Sequence, residues 1–216
     1  MTNALIIRSA TISIGGRILV SNLNLVVEPG TAVTIMGPSG SGKSTLIAFI
    51  GGHLDRPFHA TGRVLVGERD VTELPPERRG IGMLFQDDLL FPHLSVGANL
   101  AFGLPASKKD RRVRRAHVAQ ALEEAELSGF EERDPATLSG GQRARIALMR
   151  TLLAAPKALL LDEPFSKLDS ELRRDFRRFV FDRATADRLP VLLVTHDPDD
   201  AAAANGEILT LGPQVE

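Results

Sequence analysis

Cysteine does not occur among the 216 residues. Its absence removes disulfides, thiolate zinc sites and thiol nucleophiles together. Tryptophan and tyrosine are missing too, so ten phenylalanines and five histidines carry all the aromatic chemistry. No apolar run approaches the roughly 20 residues of a membrane-spanning helix. Runs such as Ala158–Leu161 and Val191–Val194 have strand length, and Arg8 cuts off Ala4–Ile7 well short of a signal-peptide core. Charge of one sign does not accumulate either: 26 basic and 27 acidic residues leave a net charge of -1. A whole-molecule basic footprint for nucleic acid is therefore excluded. What remains is globular, 43% hydrophobic and 25% charged, in a length that suits one ample core or a core with a subdomain.

The order of patterns predicts a mixed α/β chain. Leu5–Ile14 and Ile18–Glu28 are rich in β-branched residues and are broken by Gly15-Gly16, which predicts a hairpin. Thr31–Met36 predicts a buried strand, with further strands at Gly62–Glu68 and Ile81–Gln86. From Ser95 to Ala155 the spacing turns helical, as at Val118, Leu122 and Ala125. Strand character returns at Ala158–Leu161, Pro190–Thr195 and Ile208–Leu211. Between the first two, Ser170–Ala184 predicts an amphipathic helix with Leu172, Phe176, Phe179 and Val180 on one face. A helical block thus interrupts a βα core.

Three motifs carry chemistry. Gly37, Pro38, Ser39, Gly40, Ser41, Gly42, Lys43, Ser44 and Thr45 satisfy G-x-x-x-x-G-K-[ST], after a strand and before an apolar helix. Glycines there let successive amides converge on one anion at a helix N-terminus. Lys43 can reach β- and γ-phosphate oxygens, and the Ser44 hydroxyl can ligate Mg2+. In ALLLDEP, Ala158–Pro164, two acids end a buried strand, where parallel sheets bind ligands. Asp162 suits Mg2+, and Glu163 suits orienting or deprotonating a water. LSGGQ, Leu138–Gln142, puts Ser139, Gly140 and Gly141 ahead of a helix and forms a second anion site by the same logic. Two such sites fit one nucleotide each when two copies of the chain share them.

In this order, together with Gln86 in LFQD, SKLD (Ser166–Asp169) and VTHD (Val194–Asp197), the motifs resemble the ATP-binding cassette of ABC transporters over nearly the whole chain. The resemblance implies a P-loop NTPase (RecA-like) α/β core, residues 1–86 and 158–216, with an N-terminal antiparallel β subdomain. An inserted helical subdomain would span 87–157. It implies ATP with Mg2+, and a head-to-tail homodimer around two nucleotides. Gln86 would touch the metal or the attacking water. Ser139, Gly140, Gly141 and Gln142 would meet the γ-phosphate held by the other subunit, Asp169 would contact the dimer partner, and His196 would hydrogen-bond the γ-phosphate.

The resemblance further implies integral permease subunits as partners, a solute-binding protein with them, no nucleic acid, and a place on the cytoplasmic face of the membrane. Phe91–Val96, Asn99 and Ala101–Leu104 resemble bacterial importer ATPases, nearest the short thiamine-type ones. Gln86–Leu104 is then the expected partner groove, lined by Phe85, Leu89, Leu90 and Phe91. The chain stops soon after Leu211, so the C-terminal regulatory domain of many importer ATPases is expected to be absent. An exporter ATPase, a soluble cassette acting on nucleic acid or ribosomes, and a monomeric P-loop kinase are the alternatives. Glu131–Asp134 stands where exporters carry a different sequence, and a kinase leaves LSGGQ unexplained. The basic run Lys108–Arg115 is countered by Glu123, Glu124 and Glu126.

Four positions depart from the family pattern: Lys167 replaces a small residue, Met149 and Thr151 replace alanines, and Ile14 stands where an aromatic ring stacks on adenine. Base–aromatic stacking is worth about 1–3 kcal/mol, and an aliphatic contact recovers part of it. ATP and GTP are therefore expected to bind within about tenfold of each other, or ~1.4 kcal/mol. Competition titration with both nucleotides checks this, and a large preference for ATP would contradict it.

Overall fold

The computed structural model describes residues 3–108 and 110–212. Among them the chain forms two compact units. The first takes in residues 3–83, 157–163 and 181–212, and the second Leu84–Pro156 and Pro164–Val180. No helix among the described residues is long and apolar enough to cross a membrane.

The hairpin of the first unit is β1 (Leu5–Ile14) and β2 (Arg17–Val27). Leu5 and Ile7 are buried, and then Ala10 and Ile12. The buried phase thus changes from odd to even positions, which a period-two strand cannot do without an extra residue. The register shifts there, between Ile7 and Ala10, and Ser9 takes φ 49°. Opposite the bulge stands Gly62, where a Cβ would lie 2.7 Å from the Ala10 Cα. Gly62 lies inside β4 (Phe58–Val66), which begins four residues before the predicted strand. With β5 (Arg69–Asp70) these strands make an antiparallel sheet ordered β2-β1-β4-β5.

The second sheet is ordered β6-β7-β8-β3-β9. Its members are β3 (Ala32–Met36), β6 (Ile81–Leu84), β7 (Ala158–Asp162), β8 (Val191–Val194) and β9 (Glu207–Thr210). The pairs β7/β8, β8/β3 and β3/β9 are parallel. The first four residues of β3 and the first four of β7 are buried, and so is all of β8, as strands covered on both faces require. Helix α1 (Lys43–Gly51) follows β3, and Leu46, Ile47 and Ile50 join one core with residues of both sheets. A short helix, α2 (Pro76–Arg79), brings Arg79 under α1, where its guanidinium donates to the carbonyls of Phe49 and Ile50 at 2.9 Å each. A cation at the carbonyl end suits the helix dipole. Neither α2 nor α7 (Pro198–Ala204) was legible as periodicity.

The second unit holds α3 (Val96–Gly103), α4 (Arg111–Glu124), a 3-10 turn at Pro135–Thr137 and α5 (Gly140–Leu153). Leu100, Leu122, Ile146 and Met149 meet in its core. Met149 therefore departs from the family pattern as a core-filling side chain, while the Thr151 hydroxyl donates back to the Ala147 carbonyl at 3.0 Å. Gly103 lets α3 approach α5, since a Cβ there would fall 2.1 Å from the Arg150 carbonyl oxygen. Helix α6 (Ser170–Ala186) begins in this unit with Phe176 buried and ends in the first. Leu172, expected on the apolar face, stays 36% exposed.

Asn99 is fully buried and organises the segment before α3. Its Oδ1 accepts from the Phe91 amide at 2.8 Å, and its Nδ2 lies 3.1 Å from the carbonyls of Phe91, Leu94 and Ser95. Asn99→Ala leaves these groups without their partner. It should destabilise the second unit by about 1–3 kcal/mol. Denaturant titration followed by circular dichroism measures this, and an unchanged midpoint would refute the role.

Candidate functional site

In the first unit the loop between β3 and α1 is shaped by glycine. Gly42, the residue capping α1, has φ 91°, and no side chain caps the helix. A Cβ on Gly42 would press on Leu19 at 3.1 Å, and one on Gly37 would meet the Leu211 carbonyl oxygen at 2.5 Å. The first-turn amides of α1 are thus left to an external acceptor. Lys43 is 7% exposed, and its ammonium donates to the carbonyls of Gly37 and Pro38 at 2.8 and 2.9 Å. Neutral carbonyls only partly offset the desolvation of a buried cation. The Ser41 hydroxyl is also buried, without a hydrogen-bond partner. An uncapped helix, a carbonyl-held ammonium and an orphaned hydroxyl together fit a polyphosphate.

The strand ends supply the rest. Ser44 Oγ donates to Asp162 Oδ1 at 3.1 Å, at the end of β7. Burial pushes the Asp162 carboxyl above its ordinary range, the Ser44 hydrogen bond opposes this, and the neighbouring Glu163 charge adds to it. Glu163 follows with φ 47°, a left-handed conformation costly for a non-glycine residue, and its amide donates to the Val194 carbonyl at 2.9 Å. Its Oε1 lies 3.0 Å from His196 Nδ1. The turn carrying His196 is set from beneath. Thr195 and Asp200 are buried, Thr195 Oγ1 donates to Asp200 Oδ2 at 2.8 Å, and the Asp197 amide donates to Thr195 Oγ1 at 3.1 Å. Asp200 escaped the sequence reading because its neighbours Asp197 and Asp199 look the same in composition.

The structure thus brings Lys43, Ser44, Asp162, Glu163 and His196 together in one unit. Ile14 ends β1, opposite Arg17 on β2 and the half-buried Phe58 on β4. Among the described residues no group of three or more His, Asp or Glu could hold a metal alone. A magnesium ion needs no such group. It commonly takes one or two protein ligands and fills the remainder with phosphate oxygens and water, and Ser44 with Asp162 fits that division.

The second unit holds the other predicted residues. Ser139 caps α5 in a capping box: its Oγ accepts from the Gln142 amide at 3.3 Å, and Gln142 Oε1 accepts from the Ser139 amide at 2.9 Å. That leaves the Ser139 O–H as a donor. A Cβ on Gly140 would make ordinary contact with Leu168, and one on Gly141 a tight contact of 3.2 Å with Leu172. Asp169 Oδ1 accepts from the Leu172 amide at 3.0 Å. Gln86 lies two residues beyond β6, which ends at Leu84 rather than running to Gln86. It lines a cleft of about 550 Å³ with Asp88, Leu89, Gly140, Arg143 and Lys167. Leu89 is exposed, whereas Leu90 packs against the core.

Fold and loop define a P-loop nucleotide-binding protein. A family model described as "ABC transporter" matches residues 20–166. An ABC transporter ATP-binding protein of Escherichia coli (strain K12), YnjD, is 53% identical over 185 residues, 86% of this chain and 85% of that protein. The sulfate/thiosulfate import ATP-binding protein CysA of Mycobacterium tuberculosis (strain ATCC 25618 / H37Rv) is 42% identical over 211 residues, 98% of this chain but 59% of CysA. Among solved structures, the dimeric structure of MJ0796, a bacterial ABC transporter cassette, superposes with a TM-score of 0.79 at 32% identity, covering 96% of this chain and 94% of that one. The chain belongs to the ABC transporter family, as one of its ATPases.

Burial gives Asp162 a testable signature. A carboxyl whose folded pKa exceeds its unfolded value of 3.8 contributes stability below that value and loses it as pH rises through the folded pKa. At neutral pH the Asp162 charge therefore weighs against the nucleotide-free, metal-free fold. Asp162→Asn should melt higher than the wild type at pH near 7, with the difference closing as pH falls into the carboxylate range. Thermal melts across pH check this, and equal melting at neutral pH would refute it.

Proposed function

We propose that this chain binds and hydrolyses MgATP to drive a separate membrane permease, and that the transport is import of a small solute. One observation carries the reading: Lys43, the uncapped start of α1, the Ser44–Asp162 contact and the Glu163–His196 contact converge in a single unit. Import is supported by the similarity to CysA and by the segment Phe91–Leu104, which resembles the corresponding segment of bacterial importer ATPases. Sulfate belongs to CysA, and the solute path here would lie in other chains.

In this reading the amides of Gly40–Thr45 and the Lys43 ammonium bind the β- and γ-phosphates. Ser44 and Asp162 would hold magnesium, which neutralises charge developing on the phosphates. Glu163 orients and deprotonates the attacking water, the bond from the γ-phosphorus to the ADP oxygen breaks, and His196 steadies both Glu163 and the γ-phosphate. Gln86 would sense metal or water. Ser139 would donate its free O–H to nucleotide held by a second copy, with Gly140, Gly141 and Gln142 beside it and Asp169 at the contact. The dimeric form of MJ0796 supports this arrangement. ATP joining both copies favours closure, and loss of the γ-phosphate favours opening.

The 87–157 stretch acts here as the signature subdomain. Its exposed side chains Leu89 and Phe102 are the proposed seat for the permease, which would hold the ATPase at the cytoplasmic face. A solute-binding protein would complete the importer.

Glu163→Gln should retain ATP affinity, lower kcat by at least about a hundredfold and accumulate as a dimer with ATP. Phosphate-release kinetics and light scattering test this. Hydrolysis at the wild-type rate would overturn the assignment of the base.

A further inference from the structure

Lys167 stands where the family pattern has a small residue, and the sequence names no partner for it. The structure does: the Lys167 ammonium forms an ion pair with the Asp87 carboxylate, both exposed. Asp87 directly follows Gln86 in the chain. The next residue, Asp88, is anchored to α5, where Arg143 Nε donates to its Oδ2 at 3.3 Å. Arg150 Nη1 donates to the Leu89 carbonyl at 2.9 Å and Nη2 to the Asp88 carbonyl at 3.3 Å. Loop 86–89 is therefore held on one flank by two arginines of a helix and on the other by a lysine of the segment Ser166–Asp169.

The two flanks differ physically. The arginine contacts come from a fourteen-residue helix and reach main-chain carbonyls and a half-buried carboxylate, so screening by salt affects them little. The Lys167–Asp87 pair lies between exposed side chains. It is salt-sensitive, and such a pair is worth at most about 1 kcal/mol. That suffices to bias a loop and not to lock it. Removing Lys167 also leaves Asp87 beside Asp88 with one cation fewer to balance two adjacent carboxylates.

We infer that Lys167 is a positioning residue: its ion pair with Asp87 ties the loop carrying Gln86 to the Ser166–Asp169 segment, which follows Glu163 in the chain. The two segments are thereby set in one arrangement before nucleotide binds. The kinetic consequence rests on the ATPase reading, and the tether itself does not. Misplacing a group that orients the reaction lowers the rate of the bound complex rather than nucleotide affinity.

The test compares full-length wild type, Lys167→Ala, Lys167→Arg and the charge swap Asp87→Lys with Lys167→Asp. Steady-state ATPase assays at low and high sodium chloride are run beside amide hydrogen exchange of residues 84–90. Lys167→Ala should lower kcat by up to about fivefold with KM for MgATP unchanged, and Lys167→Arg and the swap should restore it. Salt should lower the wild-type kcat towards that of Lys167→Ala and leave the latter flat. Exchange in 84–90 should quicken in Lys167→Ala and slow again in the swap. Unchanged exchange, unchanged kcat, or a swap that rescues neither would overturn the inference. Should the wild type itself fail to hydrolyse ATP, the ATPase reading falls, and the exchange data still decide the tether.

Discussion

A buried ammonium held by carbonyls is the constraint on which the rest of this structure turns. Lys43 sits at the start of α1 with two main-chain oxygens for company. Leaving it there requires the loop to fold back so that the carbonyls of Gly37 and Pro38 point at it. That in turn requires positive φ at Gly37 and Gly42 and room against Leu19 and the Leu211 carbonyl. None of this could be kept if α1 slid. Its far end is pinned by Arg79, and its apolar face is buried among residues of both sheets of the first unit. Core packing fixes the helix, the helix fixes the loop, and the loop keeps a cation and free amides at one spot.

Around that spot the charges are balanced for a state other than the one without ligand. Asp162 is disfavoured as a carboxylate by burial and by Glu163 beside it, and Ser44 opposes this with a single hydrogen bond. Glu163 carries backbone strain and leans on His196. In the proposed reading, a bound triphosphate with a divalent cation would relieve the costs at Lys43 and Asp162. The anion would take the amides and Lys43, and the cation would make the Asp162 charge favourable. Desolvation that weighs against the fold alone would thus become binding energy.

The sequence revealed these groups because each lies at a strand end or in a loop with a strict residue pattern. GPSGSGKST follows β3, DE ends β7 and TH follows β8, so order and spacing were enough. The supporting residues were not legible, for a common reason: their roles depend on contacts distant in sequence. Arg79 acts on carbonyls some thirty residues earlier, Asp200 is indistinguishable from its acidic neighbours until Thr195 bonds to it, and Lys167 finds Asp87 eighty residues away. Strand limits failed similarly. The bulge at Ser9 and its counterpart at Gly62 reset the alternation from which periodicity is read, so β4 starts earlier than the pattern predicts. Gly62 is an interior residue that lets two backbones approach rather than a strand start.

The two helix N-termini that looked alike in sequence differ in how they are completed. At α5 the capping box of Ser139 and Gln142 satisfies two of the four orphan amides from within the chain, so this end is partly completed without a ligand. At α1 the capping residue is a glycine with no side chain to offer, and the amides stay open. The glycine is also what the close approach to Leu19 demands, so packing and an unmet cap are one choice. A phosphate at α1 therefore replaces a missing structural contact and can be bound strongly. At α5 it would gain fewer open amides, the spare O–H of Ser139 and the helix dipole, a weaker hold that would suit a contact made and broken in the proposed cycle.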